Sequence, residues 1–225
     1  MEEITSGVFT FTGLRVGRVY LISEGDGLTL IDASIPPSGS LILNQLQAVG
    51  HPLQNLKRIV ITHAHPDHVG AIPELQRATG AELIVPTDEQ AAFEGKIPIP
   101  SAPGLLKPPK TILKDMKADR LLEDGEIIAE ALGGLHAIST PGHAPGHMAY
   151  WQPERRILFC GDVIFHMRNM RLPYNFLTVD KAQNIQSIRK LVPLKPEIIC
   201  FGHGRPIVTN AAERLAQFAE KVGAH

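Results

Sequence analysis

The chain has 225 residues, of which 44% are hydrophobic and 20% charged, with a formal net charge of -1. This is ordinary globular usage, which excludes the low-hydrophobicity regime of disordered chains, and it lacks the basic footprint that would neutralise a row of phosphates, so no nucleic-acid partner is expected. The first residues, MEEITSG, carry acids rather than a basic and apolar leader, and no run reaches the roughly 18 to 20 apolar residues of a membrane span, so the expectation is a cytoplasmic protein without a membrane contact.

From Arg15 to Ala33, two apolar runs flank Glu24-Gly25-Asp26-Gly27 and predict a hairpin ending at Asp32. Leu41, Ile42, Leu46 and Val49 then stand at helical spacing, with Ser38 or Ser40 as the N-cap and Gly50 as the stop. Lys57 to Thr62 is a β-branched run too short for a helix. A helix from about Ala71 to Thr79 closed by Gly80, a strand from Glu82 to Val85 and a helix from Thr87 to Phe93 opened by Pro86 continue the alternation.

Five prolines between Pro98 and Pro109 remove backbone donors and predict an irregular surface loop. Beyond it, strands are expected at Gly134 to Ser139, Met148 to Gln152, Arg156 to Cys160 and Glu197 to Phe201, with helices at Asp180 to Leu191 and Asn210 to Val222. Two groups of strands, each with its own helices, imply two packed sheets with helices outside, one α/β domain over residues 1–225. Cys160 and Cys200 lie in apolar strand runs without metal or redox spacing and are read as buried, reduced packing residues.

Directly after the run RIVIT comes Thr62-His63-Ala64-His65-Pro66-Asp67-His68, four potential metal ligands in six positions. If the strand continues, His63 and His65 point the same way and grip one ion together, with Asp67 and His68 turned to a second. Imidazole and carboxylate donors suit zinc, iron or manganese. Three more candidates follow predicted strands or turns beside glycine: His143 in TPGHAPGH, Asp162 in FCGDV and His203 in CFGHG. Burying so many polar groups without a partner would cost several kcal/mol, approximately, which metal coordination avoids.

Through THAHPDH, TPGHAPGH, CGDV and FGHG, in that order, the sequence resembles the metallo-β-lactamase superfamily from about Val19 to Pro206, including its glyoxalase II-like and lactonase-like members. The resemblance implies an αββα sandwich of two mixed β-sheets flanked by helices, with two divalent metal ions at one edge, zinc foremost and iron or manganese as alternatives. His63, His65 and His143 would hold the first ion, Asp67, His68 and His203 the second, and Asp162 would bridge them. Asp67 and Asp162 would be the catalytic carboxylates, and Asp32 would support the ligand loop from behind.

The implied activity is that of a dinuclear metallo-hydrolase, in which a metal-bridging hydroxide cleaves a small ester, thioester or lactone. The alternatives are a mononuclear-iron oxidoreductase resembling persulfide dioxygenases and, further back, a phosphodiesterase or ribonuclease. His147 either contacts substrate or fixes its loop by hydrogen bonds. His166, Arg168, Arg171 and Tyr174 follow Asp162 and are expected to line the substrate entrance.

Overall fold

The structure is a computed structural model, described here for residues 1–24, 27–101, 113 and 116–224. A seven-stranded sheet runs in chain order through β1 (Glu2–Thr5), β2 (Val8–Thr10), β3 (Tyr20–Glu24), β4 (Gly27–Ile31), β5 (Leu56–Val60), β6 (Glu82–Pro86) and β7 (Arg120–Leu122). Its first four strands pair antiparallel, and from β4 onward the pairs are parallel. The parallel half requires crossovers, and α1 (Gly39–Ala48), α2 (Pro66–Val69) and α3 (Ile72–Thr79) lie in two of them. A one-turn helix, α4 (Gln90–Phe93), follows β6.

The second sheet contains β8 (Ile127–Ile128), β9 (Leu135–Ser139), β10 (Met148–Gln152) and β11 (Ile157–Gly161). After β11 come a small hairpin, β12 (Phe165–His166) with β13 (Met170–Arg171), then α5 (Lys181–Leu191), β14 (Ile198–Phe201) and α6 (Ala211–Val222). The order is β14-β11-β10-β9-β8, with β14 parallel to β11 and the other pairs antiparallel.

Three buried clusters establish the αββα layering. Ile42 and Leu46 of α1 and Ile72 and Leu75 of α3 pack on one face of the first sheet. Ile22, Ile31 and Val60 meet Tyr150, Phe159 and Cys200 between the sheets, and Ile188, Leu191, Leu215 and Phe218 of α5 and α6 cover the outer face of the second. Two tyrosines bridge the layers: Tyr20 Oη donates to the Phe201 carbonyl at 2.6 Å, and Tyr150 Oη to the Ile61 carbonyl at 2.5 Å. Both hydroxyls are fully buried, where an unpaired donor would be expensive, so the bonds also fix how the sheets register.

Most predicted elements occur within one or two residues of the expected bounds. The helix expected over Thr87–Phe93 is instead a 3-10 turn over Thr87–Glu89 followed by the short α4. Ser38 precedes α1 without capping it through its side chain; its hydroxyl is 2.9 Å from that of Ser34. Cys160 and Cys200 are free and buried, on adjacent strands but in clusters on opposite faces of the sheet, so their side chains diverge. The turn residues Gly25 and Asp26, and the proline-rich segment beyond Ser101, lie outside the described residues. Among the described residues, no helix is long and apolar enough to cross a membrane.

Candidate metal centre

Four chain segments deliver the predicted ligands to one edge of the paired sheets. The loop after β5 supplies His63 and His65, and α2 supplies Asp67 and His68. The β9–β10 connection carries His143, while Asp162 and His203 follow the carboxyl ends of the parallel neighbours β11 and β14. Strand ends and their short loops are where α/β proteins assemble sites. Gly202 is required here, because a Cβ at that position would collide with Asp162 Oδ1.

All seven positions converge. His63 Nε2 and His143 Nε2 each lie 2.9 Å from His65 Nδ1. Asp162 Oδ2 is 3.3 Å from both His143 Nε2 and His68 Nε2 and 3.2 Å from His203 Nε2, while Asp67 Oδ2 is 3.1 Å from His203 Nε2. Three sets could therefore hold a metal ion: His63 with His65 and His143, His63 with His68 and Asp162, and Asp67 with His68 and His203. The strand expected to aim His63 and His65 together ends at Val60, so convergence comes from the loop, using Nε2 of one ring and Nδ1 of the other.

The surrounding hydrogen bonds free those nitrogens. A carboxylate only accepts, so the Thr62 hydroxyl, 2.9 Å from Asp32 Oδ2, donates to it and takes the Nδ1 proton of His63 at 3.0 Å. His68 donates its Nδ1 proton to Asp32 Oδ2 at 2.7 Å, and His65 bonds the Pro100 carbonyl. Each ring keeps one bare lone pair toward the common centre, an arrangement suited to a cation. Fitting this, His68 Nε2 and Asp162 Oδ1 are buried without a hydrogen-bond partner.

Electrostatics point the same way. Burial lowers the pKa of His63, aided by the neighbouring His68, His65 and His143, and lowers those of His65 and His143. Burial works against charge at His68 too, but Asp162, Asp32 and Asp67 hold its pKa well above the usual value. At His203 burial is likewise outweighed, chiefly by Asp162, and the pKa rises to about 9. Burial would raise Asp67, yet His68 and His203 bring it down to about 2. These carboxylates call for positive charge at the centre, which protons or metal ions can provide.

His147 is fully buried, so of its two readings the substrate contact is not available and the loop-fixing one fits its hydrogen bonds. Its Nε2 accepts from the Asp162 backbone N–H at 3.0 Å, its Nδ1 lies 2.8 Å from Thr140 Oγ1, and burial lowers its pKa to about 3. His166 likewise turns away: Nδ1 donates to the Arg205 carbonyl at 2.7 Å and Nε2 is 3.1 Å from an Arg214 guanidinium nitrogen. The cavity over the centre, of about 220 Å3, is lined by neither of these, nor by Arg168 or Arg171. Of the four residues expected at the entrance only Tyr174 lines it, with Val16, Phe165, Met167, Phe176 and Leu177, so the wall beside the ligands is apolar.

Sequence reasoning missed Glu89. It is 1% exposed, and burial raises its pKa. Oε2 accepts from the Ala64 N–H and Oε1 from the Gly146 N–H, both at 2.8 Å. One carboxylate thus clamps the loop carrying His63 and His65 to the loop carrying His143. An acid just after a predicted strand, inside TDEQAAF, gave no motif signal.

Fold and site together define a metal-binding αββα protein. The model of the metallo-beta-lactamase superfamily matches residues 12–203. The probable metallo-hydrolase YflN of Bacillus subtilis is 31% identical over 248 residues, covering 98% of this chain and 92% of that protein. The hydroxyacylglutathione hydrolase GloC of Haemophilus influenzae is 32% identical over 166 residues, covering 73% and 76%. A metallo-beta-lactamase family protein from Thermus thermophilus superposes with a TM-score of 0.77 at 20% identity, over 99% of this chain and 81% of that one. BJP-1, a subclass B3 metallo-beta-lactamase of Bradyrhizobium japonicum, does so at 0.70 and 25% identity, over 92% and 85%. The chain belongs to the metallo-beta-lactamase superfamily.

Proposed function

We propose that the chain is a dinuclear metallo-hydrolase of small esters, thioesters or lactones, with residues 1–225 acting as one catalytic unit. The observation that supports two ions is the position of Asp162 Oδ2, 3.2 to 3.3 Å from nitrogens of His143, His68 and His203, between the two outer ligand sets. His63, His65 and His143 would hold one ion and Asp67, His68 and His203 the other, with Asp162 shared. Bound there, two divalent cations, zinc foremost, supply a water nucleophile activated near neutral pH and a Lewis acid for a carbonyl oxygen.

The chain's own groups do the rest. Asp32 and Thr62 keep His68 and His63 in the tautomers that present Nε2, and His147 fixes the Asp162 backbone. Asp67 and Asp162 are the carboxylates that line the cavity at the ligand cluster; Asp67, ionised and partly exposed there, would accept a hydrogen bond from the attacking water and orient it. The apolar wall excludes water from around the substrate. Relatives described as hydroxyacylglutathione hydrolases support acyl transfer to water over phosphodiester cleavage.

The test is a panel of aryl esters, lactones, an acyl-glutathione thioester, nitrocefin, a phosphodiester and structured RNA, assayed with metal-loaded protein and with Asp162→Asn as the blank. Turnover of acyl substrates, absent from the blank, is expected. Preferential cleavage of RNA or the phosphodiester overturns the proposal, as does inactivity throughout accompanied by oxygen consumption on a persulfide.

A further inference from the structure

From His203 outward, one wall of the cavity is a graded series of aromatic rings. Phe165 lies 4.5 Å from His203, centroid to centroid, and is 3% exposed. Tyr174 packs edge-on to Phe165 at 6.1 Å and is 39% exposed; Phe176 stacks on Tyr174 at 5.5 Å and is 58% exposed. Val16 and Met167, 43% and 59% exposed, line the same cavity. Four of the nine exposed large hydrophobic side chains among the described residues thus gather at this mouth, a patch rather than the scatter expected of an ordinary surface.

The patch is built rather than loose. The fully buried Ser34 hydroxyl donates to the Val16 carbonyl at 2.6 Å. Gly17 next to it has φ of +68°, and a Cβ there would collide with the Asp67 carbonyl, so the Val16 loop is held against the ligand helix. Among the described residues, lysine and arginine side chains lie outside the cavity, Arg15 and Arg18 bordering a neighbouring depression that shares Val16, Met167 and His203 with it. The Arg171 guanidinium sits 4.4 Å from the centroid of the Tyr174 ring and, with Lys221, borders a separate depression. No lysine or arginine is among the described residues lining the cavity.

We propose that this cavity selects its substrate by an uncharged apolar group of several carbons carried on the acyl side, rather than by an anionic carrier such as a peptide thiol. The inference rests on the hydrolase proposal above and adds the substrate class. Water adds across the acyl–oxygen bond, which breaks to give a carboxylate, an alcohol and one proton. The acyl chain lies along Phe165, Tyr174 and Phe176 while the carbonyl faces the ligand cluster. An apolar surface of this kind gives selectivity that rises with the number of methylenes it covers, up to roughly fourfold in kcat/KM for each one fully buried.

The experiment measures metal-loaded enzyme on 4-nitrophenyl acetate, butyrate, hexanoate and octanoate, beside an acyl-glutathione thioester. A second arm measures displacement of the neutral dye N-phenyl-1-naphthylamine by octanamide from metal-stripped protein. Rates should climb with chain length until the cavity is filled, octanamide should displace the dye without metal, and Phe176→Ser and Val16→Ser should flatten the climb and weaken the displacement. Circular dichroism shows whether each variant is folded, and either one suffices. Turnover independent of chain length, or a preference for the acyl-glutathione over every neutral ester, overturns the inference and leaves the hydrolase proposal standing. Dye displacement as expected with no turnover on any ester, on the acyl-glutathione thioester or on a lactone overturns the hydrolase proposal instead.

Discussion

Asp32 Oδ2 lies 2.7 Å from His68 Nδ1, and this contact decides which nitrogen of His68 faces the metal centre. The same carboxylate accepts the Thr62 backbone N–H at 2.8 Å, and Asp32 adopts the left-handed backbone with φ of 62°. A non-glycine residue in that region needs compensation, which these bonds provide. In Asp32→Asn one oxygen is replaced by an amide that donates, so His68 Nδ1 and Thr62 can no longer both be served. Metal affinity and turnover should fall about 10-fold to 100-fold. Chelator competition on the folded variant measures the first; unchanged affinity would remove Asp32 from the site's support.

Asp162→Asn should be the more severe change. It removes the charge shared by the two ligand sets while preserving shape, so secondary structure should persist while turnover falls by roughly 100-fold or more. Elemental analysis is expected to give two metal ions per wild-type chain and fewer in the variant. A stable one-metal stoichiometry in the wild type, unchanged by excess zinc or manganese, would count against a dinuclear centre.

Glu89 provides a separate test, since the hydrogen bonds of its carboxylate go to the backbone N–H groups of Ala64 and Gly146 rather than to ligand side chains. Glu89→Gln keeps one acceptor oxygen, so one of the buried N–H groups of Ala64 and Gly146 loses its partner, at a cost of about 1 to 3 kcal/mol. Thermal unfolding should report that loss, and weaker metal binding should accompany it because the loops bearing His65 and His143 are no longer tied. A variant with a lower Tm and wild-type metal affinity would assign Glu89 to stability alone.

The ligands were legible because metal chemistry restricts residue type and spacing together: THAHPDH, and the glycine-flanked His143, Asp162 and His203, are all among the converging side chains. The layering was legible because strand and helix periodicities differ. The cavity wall was not. Arg168 and Arg171 follow Asp162 in sequence, yet the small β12–β13 hairpin turns Phe165 and Met167 to the cavity rather than its arginines, and Phe176 joins Tyr174 there from the segment beyond. Which residues of an irregular segment face inward is set by tertiary packing and has no periodic signature. Glu89 was hidden for a related reason, because its partners are backbone groups 25 and 57 positions away.

Metal-free protein should be most stable near pH 6.5 and weaken on both sides. His63, His65, His143 and His147 are held neutral by burial, with His147 lowered to about 3. Below the unfolded value of about 6.5 the unfolded chain binds protons that these folded imidazoles refuse, so their contribution is present above that pH and is lost as pH falls below it, for His147 down to about 3. His68 and His203 act in the opposite sense. Despite burial, Asp162 and its neighbours raise both, so the stability they add is complete below about 6.5 and is lost as pH rises through the raised values, about 9 for His203. Urea unfolding in a chelator between pH 4 and 10 should trace this dome. His203→Asn should shallow the alkaline limb and leave the acid limb in place. Saturating zinc should abolish the alkaline loss, because the cation replaces the protons on His68 and His203, and should steepen the acid loss, because protons then compete with it for imidazole. A metal-free stability that is flat from pH 5 to 9 would show that the histidines are not held in opposed protonation states.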